Sequence, residues 1–502
     1  MGTGKTGAII GAGQPGGFRR AFGLYQRRDV PAAGYRGDMT SGISNGDNVN
    51  LAGPLAGVRI IEMGQLIAIP WAMKMLADMG AQVIRLESCQ RLESYRGDAL
   101  YKNETEGEFW NRGANFYEHN RNKLGITLDL TNTAGMEILK DLVSISDVFA
   151  ENFTPRAIRN FHLEYEDLRR VKPDIVMVSS TGYGFTGPWA NFGATGPATE
   201  GASGLVYMTG YADGPPLLPE IPYTDYTAAE QTVFAVMTAL MHRLRTGQGQ
   251  FVDISQTQAA SATMPEALLD FAANGRTEPR IGNSDSGMAP HGCYPCRGDD
   301  RWITMAVNSD EEWQGVCGVL NQPDWSEDRR FKDSLNRWRH RAELDELIGQ
   351  ATPEWDAHEL MDRLQTAGVA AGAVLDSKDL LFNPHLLERG FFEVVAHHPS
   401  TGIPPLPYVG RPWKMSLTPP VPAKAGPIMG EHNQLVLSEL LGRSAAEMAS
   451  LEEEGVIGYA PTSPRPVSRP SLDEQVRQGR MQRYETDFRE QVARVFPPPD
   501  NT

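Results

Sequence analysis

From about residue 57 the sequence alternates short apolar segments with amphipathic ones, and this order constrains the fold more than any other feature. The segments VRIIEM, AQVIRLE, VFAENF, PDIVMVSS and QFVDIS have the length and composition of buried strands. Segments with helical spacing lie between them, such as TNTAGMEILKDLVSISD, which has Thr131 or Asn132 near its N-cap. Strands and helices in alternation predict an α/β fold with a doubly wound parallel sheet.

The carboxyl ends of the predicted strands are where we expect a ligand to bind. Doubly wound sheets hold their ligands in the crevice outside these ends. In this chain the corresponding segments are GQLIA, ENFTP and SSTGYGFTG. The sequence therefore predicts a site to which these three loops contribute.

The length of 502 residues exceeds what one ordinary core supports, so we expect more than one domain. Near residue 260 the strand–helix alternation gives way to loops and separate helices, and the end of the chain is rich in Pro, Arg and Gln. The predicted organisation is a poorly ordered N-terminal extension (1–50), the first part of a large domain (51–260), a smaller domain (261–375), a return to the large domain (376–445) and a C-terminal tail (446–502).

The segment GAIIGAGQPGGF near the N-terminus contains a literal G-x-G-x-x-G. That motif binds a dinucleotide only when it follows a strand and opens a helix within a βαβ unit. Here the strand could only span about Thr6 to Ile10, Pro15 lies inside the turn, and the following segment shows no apolar period. We interpret the match as accidental and expect no NAD.

Composition argues against several other classes of function. The net charge of −16 disfavours general binding of nucleic acid. The chain carries no apolar run as long as a membrane span and no secretory h-region, so we expect no membrane partner. Four cysteines in so long a chain indicate a reduced, cytoplasmic protein. Cys293 and Cys296 form one C-x-x-C without a second pair nearby, so we expect no metal.

The candidate chemistry rests on carboxylates, because the sequence shows neither a Ser/His/Asp order nor histidines at metal-ligand spacing. Asp225 stands just before a long apolar helix in PEIPYTDYTAAEQ. Its position suits an N-cap, where the carboxylate accepts hydrogen bonds from the first turn. It also suits a nucleophile, because a helix N-terminus keeps a carboxylate ionised. The two roles are compatible.

Many segments in the same order resemble the family III CoA-transferases, also called the CaiB/BaiF family, which includes formyl-CoA transferase and carnitine CoA-transferase. They include LAGVRIIEMGQLIAIPWAMKMLADMGAQVIRLE, NRNKLGITLDL, ENFTPRAI, KPDIVMVSSTGYGFTGPWA, TGYADGPP, YTDYTAAEQTVFAVMTALMHRLRTGQGQFVDIS, APHGCYPCRGDDRWITMAV and IMGEHNQLVLSELLG. The resemblance runs from about residue 51 to 445 and leaves out the GAGQPG segment.

The resemblance implies a large Rossmann-like domain, built from the N-terminal and C-terminal parts of the chain, and a smaller α+β domain between them. It also implies a homodimer whose two subunits interlock like links of a chain. Coenzyme A, as acyl-CoA, is implied as a substrate that lies between the domains. The implied partners are an acyl-CoA donor and a carboxylic acid acceptor.

The resemblance places the family's catalytic aspartate at Asp225. This carboxylate would attack the donor thioester and form a mixed anhydride, which CoA thiolate would convert into an aspartyl-CoA thioester. The acceptor acid would then attack, and CoA would return to give the new acyl-CoA. Developing oxyanions need N–H donors, which a strand-end loop or a helix N-terminus can supply.

Further positions carry over from the family by resemblance. Those implied to contact CoA are Leu66, Ile67, Ala68, Asn152 and Phe153, with Leu128 on the adenine side. Three cations are candidate phosphate partners, although solvated surface charge is an equally good interpretation for each: Arg85, Arg91 and Lys123.

Two departures from the family pattern affect the interpretation. Related racemases carry a His-Asp pair where this chain has Thr195 and Gly196, so a racemase or epimerase becomes the weaker hypothesis. Formyl-CoA enzymes carry Glu at the position of Gly196 and Gln at that of Ile67. Glu200 could replace the lost carboxylate. The lost polar positions also suggest a non-catalytic partner subunit of a heteromeric transferase, although the retained Asp225 argues against it.

Overall fold

The computed structural model of the chain describes residues 53–465 and 470–497. The GAGQPG motif and the predicted N-terminal extension lie outside the described residues, so both interpretations stay predictions. The strands are β1 Arg59–Met63, β2 Gln82–Glu87, β3 Leu124–Thr127, β4 Val148–Glu151, β5 Val176–Thr181, β6 Phe251–Ser255, β7 His291–Pro295, β8 Trp302–Ala306, β9 Ala370–Ala373, β10 Phe392–Val395 and β11 Leu406–Val409.

The helices fall between and after these strands. Those of the first half of the chain are α1 Ala68–Asp78, α2 Ala114–Asn120, α3 Thr133–Ser144, α4 Pro155–Asn160, α5 Tyr165–Val171, α6 Gly196–Ser203, α7 Leu205–Met208, α8 Tyr223–Thr246, α9 Gln256–Ser261 and α10 Pro265–Asn274. Those of the second half are α11 Asp310–Val319, α12 Asp324–Glu327, α13 Ser334–Arg339, α14 Arg341–Ala351, α15 Ala357–Thr366, α16 Ser377–Leu381, α17 Pro384–Glu388, α18 Ala445–Glu453, α19 Leu472–Arg477 and α20 Phe488–Val495.

Short segments of tighter or wider helix complete the described elements. Single 3₁₀ turns occur at Ser94–Gly97, Tyr101–Asn103, Phe109–Asn111, Thr352–Glu354 and Pro399–Thr401, and a π-helix spans Gln434–Leu440. None of the helices in the described part of the chain is long and apolar enough to cross a membrane.

Strands β1 to β6 form one parallel sheet in the order β3-β2-β1-β4-β5-β6. In the middle of this sheet Ile60 pairs with Val83 of β2 on one side and with Val148 of β4 on the other. The chain order reverses between β1 and β4, which makes their carboxyl ends the switch point at which doubly wound sheets bind ligands. The α/β fold with a parallel sheet is thus confirmed.

Neighbouring residues along each strand point to opposite faces of the sheet, and helices cover both faces. Ile60 and Val148 pack on one face with apolar residues of α1 and α8. Ile61 and Phe149 pack on the other face with residues of α3, α4 and α5. Because both faces are covered, the strands read as continuous apolar runs, and this pattern revealed them in the sequence.

Two smaller sheets follow the large one along the chain. Strands β7, β8 and β9 are antiparallel and pack with α11, α14 and α15 around Trp313, which is buried. Strands β10 and β11 form an antiparallel hairpin. The domain boundaries at residues 260 and 375 stay a prediction.

The predicted tail contains a segment that belongs to the main core. Met448 and Leu451 of α18, followed by Val456 and Ile457, are buried against the large sheet. This segment lies beyond the boundary placed at residue 445, and that boundary stays a prediction. Beyond it, the described part of the predicted tail contains two separate helices, α19 and α20.

A buried chain of alternating charges crosses the carboxyl half of the sheet. Glu62 of β1 has no exposed surface, and its two carboxylate oxygens meet two buried cations, Arg85 of β2 and Lys123 just before β3. Lys123 Nζ lies 2.7 Å from Glu62 Oε2. Each charge is thus compensated inside the core, as burial requires.

We expect Glu62→Gln to destabilise the protein by about 3–5 kcal/mol, because the change leaves two buried cations with one carboxylate fewer. Denaturant unfolding of wild type and variant measures the difference. Glu359→Gln is the control, because Glu359 pairs with Arg363 on an exposed helix surface and such pairs contribute little. Equal stability of Glu62→Gln and wild type would contradict the expected cost.

Candidate active site

Two loops meet at the switch point between β1 and β4, and one side chain joins them. Asn152 follows β4; its Oδ1 accepts the Gln65 N–H at 2.8 Å and its Nδ2 donates to the Gln65 carbonyl at 2.8 Å. The next residue, Phe153, donates its N–H to the Glu151 carboxylate at 2.7 Å and packs against the sheet core. Asn152 thereby fixes the backbone of the 64–67 loop.

The 64–67 loop ends in an unusual backbone conformation. Leu66 has φ +61°, in the left-handed region that residues with a side chain rarely adopt. Its N–H donates to Glu93 Oε1 at 2.9 Å, and its side chain is exposed. Ile67 is buried, and Ala68 begins α1. The Ala68 N–H lies near the carboxylate of Asp225 and lowers the pKa of that group.

Asp225 is partly buried and lies in the first turn of α8. The N-cap position itself is held by Pro222, so the interpretation of Asp225 as the N-cap is wrong. The carboxylate faces the N-terminus of α1 and belongs to the first turn of α8. The positive ends of two helix dipoles therefore favour its ionised form.

Glu200 of α6 is buried beside the same turn. Its Oε1 accepts the Tyr223 N–H of the first turn of α8 at 2.9 Å. A methyl group on Gly196 would lie 3.6 Å from Asp225 Oδ2, so the start of α6 faces this oxygen directly. Glu200 thus holds the turn that carries Asp225.

The pKa values of both carboxylates lie above their ordinary range. Burial raises the pKa of Asp225 to about 6, the negative charge of Glu200 adds to the increase, and the Ala68 N–H opposes it. Burial also raises the pKa of Glu200, against the Tyr223 N–H bond. Adjacent titratable groups with perturbed pKa values are typical of catalytic sites.

An aromatic cluster that the sequence did not indicate lines the region next to Asp225. Its rings are those of Trp71, Tyr95, His119 and Tyr226, with neighbouring centroids 5.2–6.3 Å apart. Burial raises the pKa of Tyr95, and the charges of Tyr226 and Asp225 add to the increase. The cluster supplies an apolar wall that excludes water.

His119 within this cluster is neutral. Burial lowers the pKa of His119 to about 4. Its Nδ1 lies 2.7 Å from the carbonyl oxygen of Asn115, which can only accept, so Nδ1 carries the proton. Its Nε2 faces the Tyr226 hydroxyl at 3.4 Å.

Three of the residues expected to contact CoA are buried elsewhere. Arg85 and Lys123 form buried ion pairs with Glu62 inside the core. Leu128 is buried among the apolar residues under the sheet, and the CoA contacts expected for all three residues stay predictions. Arg91 lies exposed in the loop after β2, where a phosphate can reach it.

The described residues contain no group of three or more His, Cys, Asp or Glu side chains that could hold a metal ion. Cys293 and Cys296, which form the C-x-x-C, are free cysteines of β7 and the residue after it. Asp225, Glu200 and the 64–67 loop together place two carboxylates beside the N-terminal turns of α1 and α8.

A sequence model of CoA-transferase family III matches residues 55–433 of this chain. The chain belongs to CoA-transferase family III. A family III member is an enzyme that moves CoA between acids, so CoA thioesters are among its substrates. The resemblance found in the sequence is thereby confirmed.

Curated relatives and a solved structure agree with this assignment. The succinate–glutarate CoA-transferase of Agrobacterium fabrum is 31% identical over 78% of this chain and 97% of its own length. The succinyl-CoA–D-citramalate CoA-transferase of Chloroflexus aurantiacus is 32% identical over 80% of this chain and 98% of its own. A CaiB/BaiF family protein from Brucella suis superposes with a TM-score of 0.71 at 27% identity, over 78% of this chain and 100% of its own.

Relatives that are parts of heteromers also match. The alpha subunit of succinyl-CoA–L-malate CoA-transferase from Chloroflexus aurantiacus is 27% identical over 80% of this chain and 92% of its own length. The beta subunit is 26% identical over 80% of this chain and 98% of its own. Names that designate the alpha and beta subunits of one enzyme therefore occur among the relatives.

Proposed function

We propose that this CoA-transferase works through a covalent intermediate on Asp225. The observation that carries the proposal is the placement of this carboxylate in the first turn of α8, where the Ala68 N–H at the start of α1 lowers its pKa. With a pKa of about 6, Asp225 is mostly ionised at neutral pH and is a stronger nucleophile than an ordinary carboxylate.

In the first half-reaction a carboxylate oxygen of Asp225 bonds to the thioester carbon of the donor, and the carbon–sulfur bond breaks. The products are a mixed anhydride and CoA thiolate. The thiolate then attacks the aspartyl carbonyl carbon, which releases the donor acid and leaves an aspartyl-CoA thioester. Each step exchanges one acyl bond for another, so no external energy source is needed.

In the second half-reaction the acceptor carboxylate attacks the aspartyl thioester and again displaces CoA thiolate. The thiolate attacks the acceptor carbonyl of the new anhydride, forms the product thioester and regenerates Asp225. Negative charge develops on a carbonyl oxygen at every addition. The N-terminus of α1 next to Asp225 supplies the positive dipole end that stabilises such charge.

We propose dicarboxylic acids as the substrate class. The names of the relatives given above carry succinate or succinyl-CoA together with glutarate, D-citramalate or L-malate. All of these acids are dicarboxylic. Succinyl-CoA with glutarate or D-citramalate is therefore the first donor and acceptor pair to assay.

Asp225→Asn is expected to lower CoA transfer from succinyl-CoA by about a thousandfold or more, because the amide cannot form the anhydride. Peptide mass spectrometry after borohydride trapping would find the modified residue 225 peptide in wild type alone. Glu230→Gln, an exposed change on the same helix, is the control and should keep both activity and adduct. An active, unmodified Asp225→Asn variant would contradict the mechanism.

Glu200→Gln is expected to move the acid limb of the pH profile of kcat/KM to lower pH. Protonation of Asp225 below about pH 6 stops the attack in wild type, and the change removes the negative charge that raises this pKa. The glutamine retains an oxygen for the Tyr223 N–H. With Glu230→Gln as reference, an unmoved acid limb would show that the Glu200 charge does not act on Asp225.

We propose that two copies of the chain interlock as a homodimer, with a related second chain as the alternative partner. Large apolar side chains are exposed on α8 and α10, among them Phe234, Leu244, Leu268 and Phe271. Such patches are typical of interfaces.

Light scattering on the purified chain is expected to give twice the chain mass of 55.2 kDa, together with transferase activity. A monomer that becomes active only after a second, related chain is added would contradict the homodimer and support the partner-subunit hypothesis. That outcome would also explain why polar side chains are missing at Ile67 and Gly196, because the partner chain would then supply the active site.

A further inference from the structure

We propose that Glu93 is a positioning residue for the reaction, because its carboxylate holds Leu66 in the left-handed conformation from which α1 begins. The inference rests on the proposed role of Asp225. Glu93 lies just after β2 and immediately before the 3₁₀ turn at Ser94–Gly97. Glu93 takes no part in the covalent steps proposed for Asp225.

The first step of the argument concerns the strain at Leu66. Its φ of +61° is disfavoured for a residue with a Cβ, so something in the surroundings must maintain it. The side chain cannot do so, because 40% of it is exposed. The backbone contact that remains is the N–H of Leu66, which donates to Glu93 Oε1 at 2.9 Å.

The second step concerns how Glu93 itself is fixed. Its side chain is buried, and its other oxygen, Oε2, accepts from the guanidinium of Arg85. Arg85 in turn donates to Glu62, whose second oxygen meets Lys123. The acceptor of the Leu66 N–H is therefore the end of a buried chain of alternating charges that is anchored in three strands or their ends.

The third step is that this chain of charges meets α1 at two points. Glu93 holds the N–H of Leu66 just before the helix. Lys123 at the other end donates to the carbonyl of Pro70, in the first turn of the same helix, at 2.8 Å. Ala68 is the middle one of the three residues between these contacts, and its N–H lowers the pKa of Asp225. These two contacts thus lie on either side of the part of α1 that faces Asp225.

Removal of Glu93 is therefore expected to slow the reaction by displacing the backbone at the start of α1, while the substrate contacts stay in place. Without the carboxylate, Leu66 relaxes toward ordinary φ values and the first turn of α1 shifts. A displacement of about 1 Å at a reacting group can cost as much as a hundredfold in rate. The expected defect lies in kcat and the rate of adduct formation more than in KM.

The test is a double-mutant cycle between Glu93→Met and Leu66→Gly, read by kcat for CoA transfer from succinyl-CoA. Glycine adopts positive φ without strain, so it removes the need for the carboxylate. Glu93→Met is expected to lower kcat by about tenfold or more in the wild-type background. In the Leu66→Gly background the same change should lower kcat much less.

A merely structural role predicts a different pattern, namely equal losses in both backgrounds, and that outcome would overturn the inference. Glu87→Met is the matched control. Glu87 is also buried and forms two 2.6 Å bonds with the guanidinium of Arg96, but it makes no contact with Leu66. It should reduce thermal stability while kcat stays near wild type. Should Glu93→Met fail to fold, Glu93→Ala, which also removes the acceptor of the Leu66 N–H, enters the same cycle with the same criterion.

Failure of the mechanism and failure of this inference are distinguishable. An active Asp225→Asn variant would overturn the nucleophile, whereas the cycle reports on Leu66 through kcat whatever group attacks. Loss of kcat in Glu87→Met equal to that in Glu93→Met would also overturn the inference, because general destabilisation would then explain both.

Discussion

Glu62 sits in the middle of β1 without any exposed surface, and both of its oxygens are matched by buried cations. Ion pairs of this kind seldom add net stability, because removing charges from water costs about as much as their attraction returns. Their main effect is to fix the relative positions of the elements that carry the charges. A buried charge tolerates few arrangements of its partners, so Arg85 and Lys123 hold the ends of three strands in one relative position. The same buried charges also fix the position of the backbone at the start of α1.

The order of the sheet explains why the site lies where it does. The chain leaves β1 toward one face of the sheet and β4 toward the other, which opens a crevice between their carboxyl ends. Asn152 bridges the two loops by bonding both backbone groups of Gln65. The long helix α8 then brings Asp225 across to the N-terminus of α1. A nucleophile from a distant part of the sequence thus meets a loop fixed by the sheet itself.

Apolar runs buried on both faces predicted five of the six strands of this sheet, and the switch-point loops followed from their order. Strand β3 was not predicted, because it has only four residues and charged residues, Lys123 and Asp129, flank its apolar run. The pairing of Arg85 and Lys123 with Glu62 was not visible in the sequence for a related reason. A cation near a strand end binds phosphate or pairs inside the core, and only the three-dimensional position of Glu62 decides between them. Asp225 was found through its helix and the family pattern, whereas Trp71, Tyr95, His119 and Tyr226 come from four separate segments.

The pKa of Asp225 reflects a balance that the reaction needs. A carboxylate with an ordinary pKa is fully ionised at neutral pH but a weak nucleophile, whereas one with a much higher pKa is mostly protonated. Burial and the charge of Glu200 raise the pKa, and the Ala68 N–H lowers it, which gives a value of about 6. The same N–H lies two residues after the strained backbone at Leu66. Under the proposed mechanism, the conformation of this one loop residue influences both the direction and the strength of the attacking carboxylate.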